Sequence, residues 1–158
     1  MDFDLNKAIQ YFQTVVTKHY TDFRGRVSRR DFWTYILVYI ALAVIVAIVQ
    51  GLVGFGLLAL VQLALFLPTA GIIARRLQDT GKNGSLVWFL MIPVLISTTV
   101  TLLATLAFGG FTLLLIFLPL LWLLSLISIV AAIYLIYLCA QPGTLGPNAY
   151  GPQPAVAV

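Results

Sequence analysis

The stretch FWTYILVYIALAVIVAIVQGLVGFGLLALVQLALFLPTAGIIA, residues 32–74, contains no charged residue over 43 positions. A second uncharged run covers the 76 positions of residues 83–158. All nine Lys and Arg residues and all five Asp residues lie in residues 1–31 and 75–82. A transmembrane helix needs about 20 apolar residues, so each run is long enough for two spans.

The overall composition agrees with a membrane environment. Apolar residues make up 61% of the chain, charged residues 9%, and the mean hydropathy is +1.04. Soluble domains carry about 25% charged residues, so water would not solvate such a surface well. The first 22 residues mix charged and apolar positions, unlike a cleavable signal peptide, and we therefore expect the first apolar segment to remain as a span.

We predict an all-α integral membrane protein, built as a four-helix transmembrane bundle in one domain of residues 1–154. Glycines between residues 51 and 56 and at residues 109–110 divide the two uncharged runs. Pro119 lies early in the last segment, where that helix should begin or kink. The predicted spans are residues 32–53, 55–74, 85–107 and 117–140, and residues 155–158 are expected to form a disordered tail.

The distribution of Lys and Arg predicts the orientation. Four spans place both termini on one side, and every charge then falls on that side. Six Lys and Arg residues precede the first span and three lie in the central loop, while the other two connections have none. Positive residues near span ends favour the cytoplasm. We expect a multi-pass protein of the bacterial inner membrane with cytoplasmic N- and C-termini.

Residues 1–22 follow a different pattern. Apolar residues recur every three to four positions, as at Leu5, Ile9, Phe12 and Val16, which indicates an amphipathic helix. Next to a membrane, its apolar face is predicted to lie in the headgroup layer as an interfacial helix. The alternative is that this face packs against protein only.

The C-terminal residues 141–154 form an irregular tail. They contain four Pro and three Gly residues, so a helix cannot continue through them. Either this tail is disordered, or Leu145, Asn148 and Tyr150 dock onto the cytoplasmic face.

Two basic motifs flank the first pair of spans. Ser28 followed by Asp31 is typical of a helix N-cap, with the serine oxygen accepting from the N–H of residue 31. Arg29 and Arg30 then lie in the first turn, where the helix dipole disfavours a cation, so an anionic lipid phosphate is the expected counterion. The simpler alternative is that these arginines only anchor the span at the interface.

In the second motif, residues 75–84, Gly81 suits the position just past a helix end. Asp79 lies at the negative pole of that helix and therefore needs a cation. Arg75 lies four residues earlier on the same face, and Arg26, Arg29 or Arg30 are candidates from the neighbouring span. Either Asp79 forms an ion pair that staples the two motifs together, or it is an exposed turn residue.

The candidate site residues follow from these motifs. Residues predicted to bind anionic lipid or a partner are Arg24, Arg26, Arg29, Arg30, Arg75, Arg76 and Lys82. The predicted polar staple consists of Ser28, Asp31, Asp79, Asn148 and Tyr150. We predict no catalytic residue, no metal site and no cofactor, because the chain has no Glu, one Cys and one His, and no nucleotide or metal motif.

Three stretches resemble the small bacterial inner-membrane family catalogued as domain of unknown function 805. They are Phe23-x-Gly25-Arg26-x-x-Arg29-x-x-Phe32-Trp33, Arg75-Arg76-Leu77-x-Asp79-x-Gly81-x-x-Gly84 and Pro142-Gly143-x-x-Gly146-x-Asn148-x-Tyr150-Gly151. The family usually has His where Gln78 stands and Ser where Asn83 stands, and Gln78 cannot titrate near neutral pH as imidazole does. The resemblance implies an integral inner-membrane protein and no particular activity.

The preferred function is therefore a non-enzymatic membrane module whose cytoplasmic arginines bind anionic lipid headgroups or an acidic partner. The alternative is a small transporter or pore subunit that acts as an oligomer. The spans contain no ionisable residue, which disfavours proton coupling. An enzyme acting on lipid phosphates would need a divalent cation at Asp79. Expected partners are membrane lipids, a second copy of the chain or another membrane protein, and no nucleic acid.

Overall fold

A computed structural model describes residues 4–53, 56–106 and 110–155. Over these ranges the chain is helical and contains no strand, apart from an isolated bridge between Asn148 and Gly151, so the predicted all-α class is confirmed. A short 3₁₀ helix, Gly84–Val87, precedes the fifth helix. The helices are α1 Leu5–Lys18, α2 Arg29–Val53, α3 Leu57–Ala64, α4 Phe66–Asp79, α5 Trp88–Leu106 and α6 Gly110–Ala140.

The long helices expose apolar surface that only lipid can cover. Among the described residues, α2, α5 and α6 are long and apolar enough to cross a membrane, and α3 with α4 adds a fourth span if the bent pair counts as one. Leu52 on α2 and Val130 on α6 are 84% and 69% exposed, and many other large apolar side chains of these helices are about half exposed. Contiguous apolar surface of this extent would be unstable in water. The chain is therefore an integral membrane protein.

The second predicted span, residues 55–74, is not one straight helix. The axes of α3 and α4 differ by 47° at Leu65. Pro68 has no N–H to donate to the carbonyl of Ala64, four residues earlier, which breaks the helical bonding there. The Tyr20 hydroxyl donates to that carbonyl at 2.6 Å. A proline thus frees a backbone acceptor, and a tyrosine from the α1–α2 connection satisfies it.

The other helix bounds also differ from the predicted spans. Helix α6 begins at Gly110, seven residues before the predicted residue 117, and Pro119 lies inside it. Helix α4 continues past residue 74 to Asp79, which carries both arginines of the second motif within the helix. Residues 55, 107 and 156–158, which belong to the predicted second span, third span and tail, lie outside the described residues.

The buried core lies at one end of the bundle, where α1 packs against α2 and α4. Phe12 of α1 stacks on Tyr35 of α2 with ring centroids 4.9 Å apart. Ala8 and Val15 are also buried on α1, whereas Leu5 and Ile9 are 59% and 40% exposed. One stripe of α1 thus packs on protein, and a second apolar strip faces outward.

Candidate functional site

Three segments that are distant in sequence meet beside this core. They are residues 22–31 before and at the start of α2, residues 75–84 at the end of α4, and residues 141–154 after α6, and we call them together the charged end. The backbone N–H of Val27 donates to Arg75 O at 3.3 Å, and the backbone N–H of Thr144 donates to Asp79 O at 2.9 Å. These bonds hold the first and third segments against the end of α4.

Local sequence rules explain how α2 and α4 present their ends to this region. The Ser28 hydroxyl oxygen accepts from the N–H of Asp31 at 3.1 Å and caps α2. Gly81, two residues after the last residue of α4, has a left-handed conformation with φ +76°. The N–H of Lys82 donates to Leu77 O at 2.9 Å, which completes a glycine-type C-terminal cap.

The buried side chain of Arg76 donates hydrogen bonds to backbone carbonyls. Its guanidinium donates from Nε to Cys139 O at 2.9 Å, from Nη2 to Gln141 O and from Nη1 to Asp79 Oδ2. A further bond from Nη1 reaches Val27 O at 3.4 Å. The side chain is fully buried. This one guanidinium therefore joins α4 to the end of α6 and to the segment before α2.

Arg26, in the segment before α2, also donates to Asp79 and to backbone carbonyls of the tail. Its Nε donates to Asp79 Oδ1 at 2.9 Å, and its side chain is 2% exposed. Nη1 donates to Gly146 O at 2.6 Å and to Gly151 O at 3.3 Å, while Nη2 donates to Thr144 O at 2.6 Å. The C-terminal tail is thus wrapped around a guanidinium from the beginning of the chain.

Asp79 is the acceptor shared by both arginines, one on each carboxylate oxygen. Its side chain is 4% exposed. A carboxylate taken out of water needs such charge-assisted bonds to offset its desolvation. A Cβ at Gly143 would collide with Asp79 Oδ2, so only glycine allows the tail to pass this close.

Asn148 and Gln78 complete the network. Asn148 Nδ2 donates to Gln78 O at 3.0 Å and to Thr144 Oγ1 at 2.9 Å. Gln78 Nε2 donates to Phe23 O at 2.9 Å, in the segment before α2. Tyr150 contributes its backbone N–H, which donates to Asn148 Oδ1 at 2.8 Å. The tail therefore docks, although Leu145, which was an expected docking residue, is 90% exposed.

The structure corrects the predicted partner of Asp79 on its own helix. Arg76, three residues before Asp79, makes the ion pair, and Arg75 does not. Arg75 points toward Asp22 instead, with Nη1 to Oδ2 at 3.8 Å. Adjacent helical residues differ by about 100° in direction, so only one of the two arginines faces the tail.

The predicted lipid-binding residues separate into two groups. Arg26, Arg75 and Arg76 are buried and have internal partners, which disfavours their contact with headgroups. Arg24, Arg29 and Lys82 are exposed, and Arg30 is half-buried with a partner inside the protein. Ser28, Asp31 and Asp79 are buried, and Asn148 is half-buried. Burial distinguishes the groups because a guanidinium that donates to backbone carbonyls cannot also reach lipid.

A pocket of about 270 Å³ opens at the charged end, between the start of α2 and the tail. Arg26, Arg29 and Arg76 line it together with Asp79 and tail residues. Three guanidiniums against one carboxylate leave its wall positive, which favours an anionic group at the mouth. Both oxygens of Asp79 are already engaged, which leaves little capacity for a metal ion. Among the described residues, no group of three His, Cys or Asp side chains is placed to hold one.

The tail carbonyls are functional groups that sequence reasoning missed. Four tail carbonyls, from residues 141, 144, 146 and 151, accept from two arginines, and the Cys139 carbonyl at the end of α6 accepts as well. The repeated glycines of the tail were the available signal, because glycine allows a backbone to curl closely around a cation.

Comparison with known proteins identifies the family. Residues 20–152 match the family described as "Protein of unknown function (DUF805)". The chain belongs to the DUF805 family. This confirms the resemblance seen in the three motifs. The matched region of this DUF805 protein contains the whole bonded network of the charged end and excludes helix α1.

Three Escherichia coli K12 proteins are similar to this DUF805 chain. Inner membrane protein YhaI is 31% identical over 88 residues, 54% of this chain and 74% of the relative. Inner membrane protein YhaH is 27% identical over 146 residues, 88% of this chain and 92% of the relative. Uncharacterized protein YiiR is 37% identical over 73 residues, 44% and 49% of the two chains. No solved structure matches.

Proposed function

We propose that this DUF805 protein is a non-enzymatic module of the bacterial inner membrane whose exposed cations bind anionic lipid headgroups. In this proposal the charged end faces the cytoplasm, because Lys and Arg near span ends favour that side. Two relatives that are named inner membrane proteins support the location.

The observation that carries the proposal is the division between buried and exposed charge. The buried arginines already have Asp79, Asp22 and backbone carbonyls as partners. The exposed cations outnumber the acids around them, since Asp4 is exposed and Asp22 is 42% exposed. The exposed cations of the described residues are Lys7, Lys18, Arg24, Arg29 and Lys82.

The position of Arg29 favours lipid over a protein partner. It is the first residue of α2, so it lies where that span leaves the hydrocarbon. Anionic phosphate at this depth would also meet the free N–H groups of the first helical turn. The positive pocket that Arg29 lines has room for a headgroup phosphate.

Helix α1 adds an apolar contact to this surface. Its outward residues Leu5 and Ile9 would enter the headgroup layer while Lys7 and Lys18 remain at the phosphate level. The buried stripe of α1 attaches it to the bundle, so the helix is oriented before it meets lipid. We propose this as the interfacial arrangement of α1.

Native mass spectrometry from mild detergent, with added phosphatidylglycerol or phosphatidylcholine, tests the proposal. Replacing Arg24, Arg29 and Lys82 by Gln should strongly reduce the preference for phosphatidylglycerol. Each cation near an anionic surface contributes about 1 kcal/mol, so the three together amount to roughly 100-fold in affinity.

The matched control is Arg24→Lys with Arg29→Lys, which keeps the charge and should keep the preference. An unchanged preference in the Gln variant would refute the proposal. Retention of a copurified acidic protein that depends on the same three residues, without lipid preference, would replace lipid with a protein partner.

A further inference from the structure

A cavity of about 820 Å³ lies far from the charged end, between α2, α3, α5 and α6. It is in the size range of small-molecule sites. Two amides and five hydroxyl groups line it together with apolar and small residues. The polar lining includes Gln50, Gln62, Thr98, Thr101, Ser125 and Ser128.

The origin of these polar residues argues against chance. They come from four helices that are otherwise strongly apolar, and they converge on one space. Isolated Ser and Thr residues in membrane helices usually bond their own helix, and they need not face one another. Non-lipid-facing polar groups at membrane depth are tolerated where they line a water-filled cavity.

The hydrogen bonds of the lining residues leave both acceptors and donors available. Ser125 and Ser128 donate their hydroxyl protons to Trp122 O at 2.7 Å and Leu124 O at 2.8 Å, so their oxygens retain lone pairs. The Gln62 amide oxygen accepts from Thr98 at 3.4 Å, and its NH₂ group is a donor. A ligand with hydroxyl or amide groups matches this mixture.

Small residues create the space. Ala47, Gly51, Gly56 and Ala59 line the cavity. A Cβ built on Gly51 meets no atom within 4 Å, so this glycine does not serve close helix packing. Ala47 and Gly51 of α2 therefore border open volume and not a neighbouring helix.

The charge of the lining restricts the ligand. The described lining residues include no Asp, Lys, Arg or His. An ion that entered would lose hydration without gaining an opposite charge, which is costly in this setting. The site therefore suits an uncharged molecule.

We propose that the cavity is hydrated and binds a small uncharged polar solute of the polyol or amide class. This site shares no residue with the proposed lipid-binding surface, so either proposal can fail without the other.

Thiol labelling in lipid nanodiscs tests the cavity. Ser128→Cys, in a Cys139→Ala background, is treated with N-ethylmaleimide, which reacts with the thiolate and so requires a hydrated thiol. Val130→Cys is the matched control, since it lies about 200° around the same helix at nearly the same depth and is exposed toward lipid. We expect Ser128→Cys to react at least about tenfold faster.

Ligand class is tested in the same assay. Erythritol or urea should slow the labelling of Ser128→Cys, whereas sodium acetate at equal osmolarity should not. Gly51→Leu, which fills the cavity, should also slow the labelling of Ser128→Cys. If Gly51→Leu does not fold, Ala47→Leu is used in its place. Equal labelling of the two cysteines, protection by neither uncharged solute, or equal protection by acetate would each overturn the proposal.

Discussion

Arg26 Nε donates to Asp79 Oδ1 at 2.9 Å across 53 positions of the chain, and the two side chains are 2% and 4% exposed. Asp79 also accepts from Arg76, which is fully buried. One carboxylate therefore compensates two cations outside water. Loss of the Asp79 charge should therefore destabilise the fold, because both guanidiniums would then be buried without a counter-charge.

Asp79→Asn should strongly lower stability, by about 3–5 kcal/mol, because it breaks a buried pair on one side only. The measurement is thermal unfolding in detergent at fixed ionic strength. Asp22→Asn is the matched control, since the Asp22 carboxylate is 42% exposed and lies 3.8 Å from Arg75, and a contact that water screens on one side contributes less than about 1 kcal/mol. Similar losses in the two variants would contradict the central role of Asp79.

Gly143→Ala should release the tail, because the added methyl would collide with Asp79 Oδ2. The expected cost is about 1–3 kcal/mol, typical of overpacking. Limited proteolysis should cleave the variant after α6 faster than the parent. Leu145→Ala, at a residue that is 90% exposed, should leave the cleavage rate unchanged. A resistant Gly143→Ala tail would show that the contact is relieved at no cost.

Tyr20→Phe should destabilise the bend between α3 and α4, because the Ala64 carbonyl loses its donor. The expected cost is about 1 kcal/mol, typical of one hydrogen bond. In a Pro68→Ala background the cost should shrink, since residue 68 then has an N–H for the same carbonyl. A double-mutant cycle on unfolding free energies measures this coupling. If the two substitutions have additive effects, the contribution of the Tyr20 hydroxyl does not depend on Pro68.

Alkaline pH should weaken the attachment of α1. Burial, aided by the nearby Asp31 carboxylate, raises the pKa of Tyr11 from 10.0 to about 12. The folded state thus favours the neutral phenol, and this contribution is complete below pH 10 and is lost as the pH rises toward 12. Unfolding of the parent and of Tyr11→Phe, compared across that window, isolates the effect. The parent should lose stability relative to the variant, and parallel curves would refute it.

Much of the architecture could be predicted from local rules. Long uncharged runs require lipid, and the described helices α2, α5 and α6 follow from them. Ser28 and Gly81 lie at the helix ends that capping chemistry favours, because those effects depend on a few neighbouring residues. The bend at Leu65 was not predicted, although the missing N–H of Pro68, which acts within one turn, was an available signal.

The site was harder to predict because its partners are distant in sequence. Arginine near a membrane usually suggests lipid, yet Arg26 and Arg76 bind backbone carbonyls of the tail. No local pattern distinguishes these arginines from the exposed Arg24 and Arg29. Only the docked path of residues 141–151, which depends on Gly143 passing Asp79, determines which guanidiniums are covered.

The bonds between Arg26 and the tail impose an order on biosynthesis. Gly151, whose carbonyl accepts from Arg26, leaves the ribosome 125 residues after that arginine. The guanidinium is therefore synthesised before its final acceptors, and the cluster closes only after translation has passed residue 151. Throughout insertion, water or a helper protein must solvate a cation that the mature fold excludes from solvent.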